Sequence, residues 1–128
     1  MRLEVPIGPG ELIDKITILE IKAVHLVAPD KLANVRAELA ALVSARDVTL
    51  PASPALTQLS AALKQVNATL WRVEDEIRDC ERAGDFGPRF VALARAVYRT
   101  NDERAALKRR INDLLHADIV EEKSYAAY

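Results

Sequence analysis

The sequence is poor in the residues that let small chains fold by special means. A single cysteine, Cys80, excludes an internal disulfide, and nothing in the composition calls for an oxidising compartment. The two histidines, His25 and His116, stand in no metal-like spacing with that cysteine, so neither a zinc site nor any other cofactor is expected. Aromatic residues make up only 5% of the chain, so the core has to be built from aliphatic side chains. No stretch approaches the roughly 18 apolar residues of a membrane span. The opening MRLEVPIGPGELIDK places Glu4, Glu11, Asp14 and Lys15 where a signal peptide needs an apolar centre. Charge of one sign is also missing. Lys and Arg number 18 against 19 Asp and Glu, a net charge of -1, which gives no field to hold a polyanion. The expectation is a soluble cytoplasmic protein with neither nucleic acid nor membrane among its partners.

What is present is abundant Ala, Leu, Glu, Lys and Arg, cut into segments by proline and glycine. At 128 residues the chain makes one domain, 1–128, large enough to bury a core. The punctuation predicts an all-α fold. An extended arm, residues 1–10, leads to a first helix from about Glu11 to Val27 and a second from about Pro29 to Arg46, with DVTLPA as the next break. Ser53 followed by Pro54 is a helix start, a hydroxyl cap and then proline at the first helical position. Beyond it Leu56, Leu59, Leu63, Val66, Leu70, Val73, Ile77 and Cys80 recur three and four apart, the spacing of a packed seam. Gly84 and Gly87 end that helix, and Pro88 opens a fourth running to about His116. The result is a four-helix bundle made of a short N-terminal αα-hairpin and a long C-terminal one, followed by a tail, residues 117–128.

Helical projection turns up polar residues in unexpected places. On the first helix Glu11, Asp14, Lys15, Lys22 and His25 share one arc, as a solvated face should. Glu20 falls opposite, flanked by Ile13, Ile16, Val24 and Val27. A lone carboxylate there is costly unless paired. On the fourth helix Asn101, Arg104 and Lys108 interrupt the apolar face made by Phe90, Leu93, Val97, Leu107, Ile111 and Leu115. If the long hairpin turns near Asp85, Asn101 lies opposite Leu70 and Arg104 opposite Asn67, with Glu74 and Trp71 within a turn. The predicted centre is therefore a polar layer of Glu20, Asn67, Glu74, Asn101, Arg104 and Lys108, rimmed by Trp71, in which Glu20 meets Arg104 or Lys108. Such a layer can be an ion-pair network that fixes helix register, a pocket that takes a small anionic ligand, or part of an oligomer interface.

Sharper motifs are absent. Glu11 with Asp14 and Glu76 with Asp79 have an ExxD spacing that can hold Mg²⁺, but the upstream EExxE of the helical pyrophosphatases is missing. Leu3, Val5 and Ile7 alternate like an edge strand and could mediate pairing. The tail motif Glu121, Glu122, Lys123, Ser124, Tyr125 has no catalytic spacing and reads as a segment that docks Tyr125 against the bundle or inserts into a neighbouring subunit or partner.

The segments GELIDKITILEIK, LWRVEDEIR, VYRTNDERAALKRRIN and EEKSY resemble a bacterial family of uncharacterised small proteins, a domain of unknown function. The resemblance spans nearly the whole chain and implies a bacterial helical module, without bringing an activity or a catalytic residue. The expected role is protein interaction or assembly, with the chain dimeric or bound to a protein partner. The alternative is a bundle enzyme or binder of a small anionic metabolite.

Overall fold

A computed structural model describes residues 1–128 and contains four helices and no strand: α1 (Pro9–His25), α2 (Pro29–Thr49), α3 (Pro54–Ala83) and α4 (Pro88–Leu114). Each opens with a proline at its first position, where the missing N–H would have had no intrahelical partner. Ser53 caps α3, its hydroxyl accepting from the Leu56 N–H at 3.1 Å. Gly84 ends α3 in the left-handed conformation, φ 65°, and its N–H returns to the carbonyls of Cys80 and Glu81. No helix is long and apolar enough to cross a membrane.

The helix boundaries follow the sequence reading closely; α1 and α4 each end two residues early, at His25 and Leu114, and two other boundaries shift outward. α1 begins two residues before Glu11, because Pro9 is itself a good first helical residue. α2 continues through Asp47–Thr49, so the break lies at Leu50–Ser53. The β-branched residues of α1, Ile16, Thr17, Ile18 and Ile21, stand in helix, where tertiary burial outweighs their modest preference for strand. The arm Leu3, Val5, Ile7 forms no strand.

The arrangement centres on α1. It packs against α2, α3 and α4, whereas α2 packs against α1 alone and α3 pairs with α4 along the long hairpin. Two apolar clusters result. Ile13, Leu56, Leu59, Leu63 and Ile111 fill the end where α1 lies between α3 and α4, supported by Leu50, Leu107 and Leu115. Val73, Cys80 and Leu93 seal the far end of the hairpin, with Ile77, Phe90, Ala96 and Val97 beside them. Each fully buried aliphatic side chain contributes about 1.5–3 kcal/mol. In sequence Asn67 falls between the α3 members of these clusters and Arg104 between those of α4, so a polar layer separates the two.

Gly8 and Gly10 set how closely α1 approaches its neighbours. The Gly10 N–H donates to Asn112 Oδ1 at 2.8 Å, and a Cβ there would lie 2.5 Å from the Lys108 carbonyl oxygen. A Cβ on Gly8 would collide with the Ile119 carbonyl oxygen. The first turn of α1 thus seats directly on α4 and the start of the tail.

Candidate functional site

The acid at the centre of the polar layer is Asp14. It is 0% exposed. Arg104 grips it side-on, Nε to Oδ1 at 2.9 Å and Nη2 to Oδ2, in the fork geometry that makes guanidinium–carboxylate pairs strong. The Asn67 amide nitrogen donates to Asp14 Oδ1 and to Thr17 Oγ1, both at 2.9 Å, while the Thr17 hydroxyl donates to the Asp14 carbonyl at 2.8 Å. Lys108, one turn beyond Arg104, places Nζ 3.9 Å from Asp14 Oδ2 and 2.7 Å from both Glu11 Oε2 and Glu121 Oε2. α1, α3, α4 and the tail each supply at least one member.

The electrostatics follow from this packing. Burial by itself would raise the Asp14 carboxyl, but the hydrogen bonds from Arg104 and Asn67 and the charges of Arg104 and Lys108 outweigh it and hold the group below its ordinary value. For Lys108 burial pulls downward, yet hydrogen bonds to Glu11 and Glu121, with the charge of Asp14, leave the ammonium held above its usual value. The Lys108 hydrogen bond lowers Glu121. Asp14 therefore stays ionised and Lys108 stays protonated at neutral pH. Neither is poised to exchange a proton, which is what acid–base catalysis demands. No buried side-chain nitrogen or oxygen lacks a hydrogen-bond partner.

The predicted residues divide. Arg104 and Lys108 are in the layer, and Asn67 faces Arg104 across Asp14, as the hairpin register predicts. Glu20 does not meet either cation; its partner is Lys64 of α3, at 3.3 Å on a half-exposed flank. The projection placed Glu20 inside an apolar face, but that face ends there. Ile13 and Ile16 are each 2% exposed, whereas Val24 and Val27 are 81% and 90% exposed. Asp14 was assigned to a solvated arc because a projection assumes one buried side, and the first half of α1 is enclosed on nearly all sides. Glu74 pairs with Arg78 on its own helix. Asn101 is partly buried and shares no hydrogen bond with the layer. Trp71 is half-buried, stacked on the His25 ring at 5.0 Å and 17°.

Sequence reasoning missed Asp14, Glu11, Thr17 and Glu121 as members of the layer, and Asn112, which holds the Gly10 N–H beside it. The spacing Asp14-x-x-Thr17 beside Gly10 was the available signal for the first. For Glu121 the signal was the tail motif itself: the segment does dock, but through Glu121 on Lys108 and Glu122 on Arg109, while Tyr125 stays 82% exposed.

Beside the layer runs a groove of about 330 Å³ between α1, α3 and α4. It brings together four of the predicted residues, Asn67, Trp71, Glu74 and Arg104, with apolar side chains of α1. No three His, Cys, Asp or Glu residues are grouped as a metal site would require.

Compared with curated proteins and with solved structures, the chain matches none. Its whole length, residues 1–128, matches the family of unknown function DUF6165, and the chain belongs to that family.

Proposed function

We propose that the chain is a non-enzymatic helical interaction module, bacterial and cytoplasmic, whose polar layer is a structural lock. The observation that carries this reading is the closure of the layer upon itself. Asp14 is engaged by Arg104 and Asn67, and Lys108 by Glu11 and Glu121, so no charged group of the centre is left over for chemistry. An anionic metabolite that took either cation as its own counter-charge would have to displace Asp14 from Arg104, or Glu11 and Glu121 from Lys108, which weighs against the bundle-enzyme alternative.

The surface offers contact area elsewhere. Leu3, Val5 and Ile7 of the arm are exposed, and with Ala37, Ala41 and Leu42 of α2 they border a broad trough that also reaches Leu114 and Leu115. A helix that rests on a single neighbour has apolar area to spare. The partner we propose is a second copy, the two arms and α2 faces meeting about a twofold axis. Sedimentation velocity across a wide concentration range tests it: the chain should sediment as a dimer, and Leu3→Glu with Val5→Glu should make it monomeric without loss of helicity. A monomer at every concentration would defeat the dimer, and with it the role assigned to this face.

A further inference from the structure

The groove beside Trp71 carries an inference independent of the assembly reading. Its apolar wall is made by Ile18 and Ile21 from α1 and Leu70 and Trp71 from α3. Trp71 is held in place by its stack on His25. Five polar side chains line it as well: Glu74 and Arg78, which pair with each other, the exposed Asp75, and Asn67 and Arg104 beside the layer. For Asn67 and Arg104 the chemistry of the locked layer dictates which atoms remain free.

The Asn67 amide cannot be turned round. A carboxylate only accepts hydrogen bonds, so the nitrogen must face Asp14. The Thr17 hydroxyl has committed its proton to the Asp14 carbonyl and therefore also accepts from that nitrogen. Both amide hydrogens are used, and Oδ1 is left pointing the other way with no partner in the protein. Asn67 is only 5% exposed, yet no enclosed polar atom goes unpartnered, so Oδ1 opens to the outside, and the opening that Asn67 lines is this groove. Arg104 is constrained in the same manner. Its side-on grip uses Nε and Nη2, leaving Nη1 without a partner. Because Asp14 already neutralises the guanidinium, Arg104 offers the groove a donor more than a charge.

A free acceptor and a free donor thus stand on neighbouring side chains in an aromatic-walled recess. We propose that this groove binds a small planar ligand carrying an N–H beside a C=O, a carboxamide or lactam on an aromatic ring, with its N–H donating to Asn67 Oδ1 and its carbonyl accepting from Arg104 Nη1. The volume lies at the lower end of the range for small-molecule sites and suits one or two rings. A carboxylate sets its lone pairs against Asn67 Oδ1, and an amidinium sets its hydrogens against Arg104 Nη1. Each leaves one group mispaired, so the site discriminates by hydrogen-bond pattern.

Trp71 is the only tryptophan, so its indole N–H gives one resonance that reports on the groove. Full-length protein is titrated with benzamide, benzoate and benzamidine, which share a ring and differ in donor and acceptor. Benzamide should move the Trp71 signal saturably at millimolar concentration and bind at least about fivefold tighter than either of the others. Ile18→Phe, which fills the groove, should abolish the benzamide response while circular dichroism stays unchanged. Benzoate or benzamidine binding as tightly as benzamide, or no movement of the signal with any probe, overturns the proposal. The three-probe comparison on the wild-type chain decides the matter even if Ile18→Phe fails to fold. Oligomeric state does not enter it, so the dimer and the groove stand or fall separately.

Discussion

The two halves of α1 treat a carboxylate in opposite ways. In the first half, Asp14 is fully enclosed among α3 and α4 and held by a guanidinium, an amide and a nearby ammonium. In the second, Glu20 shares a half-exposed surface with Lys64. Both residues are acids on one helix, and both are paired with a cation from another element. The environment separates them: an ion pair in water gains little over its hydrated parts, whereas a buried charge that loses its partner has nowhere to go. What stands around the pair, more than the pair itself, sets its energetic weight.

That contrast can be broken at its strong end first. Arg104→Met should cost about 3–5 kcal/mol in urea unfolding, because it strands the Asp14 carboxylate in the interior. Asp14→Asn should cost less, since the partly exposed Arg104 can turn toward solvent. Combining the two should recover part of the loss and so reveal their coupling. An additive result would mean that Asp14 and Arg104 do not depend on one another.

The same centre should register in the pH dependence of stability. Asp14 is lowered in the folded state, so its contribution is complete above the unfolded carboxyl value of about 3.9 and is lost as pH falls through the lower folded value. Lys108 is raised, so its share is complete below about 10.4 and is lost as pH rises through the higher folded value. Asp14→Asn should flatten the acid limb and weaken the alkaline limb only in part, because Glu11 and Glu121 still hold Lys108. Melting curves across pH check both statements.

Backbone contact near the centre ranks next. Gly10→Ala should destabilise by about 1–3 kcal/mol, as an added Cβ forces α1 away from the Lys108 carbonyl. At the weak end, Glu20→Gln should cost less than about 1 kcal/mol, and less still in high salt. Paired with Arg104→Met it should be additive within about 0.5 kcal/mol, because the two side chains share no partner.

How much of this could be read in advance depends on which physical rule governed each part. The helices were legible because proline and glycine mark their ends by local sterics. The meeting of Arg104 with Asn67 followed from the same logic, since a hairpin with a known turn fixes which residues lie opposite. The acid that joins them was not legible. Choosing between Asp14 and Glu20 required knowing that α1, which packs on three helices, is buried near its start and exposed near its end, and a projection of one helix holds no information about its neighbours. The partner of the tail carboxylate Glu121 escaped for a different reason. Its place depends on a single long-range ion pair with no repeating pattern to announce it.

The Asp14–Arg104 pair joins positions 90 residues apart. Until the long hairpin has brought α4 back against α1 the Asp14 carboxylate is hydrated, so it enters the interior only together with the guanidinium that replaces its water, which ties the burial of α1 to the docking of α4 in one cooperative step.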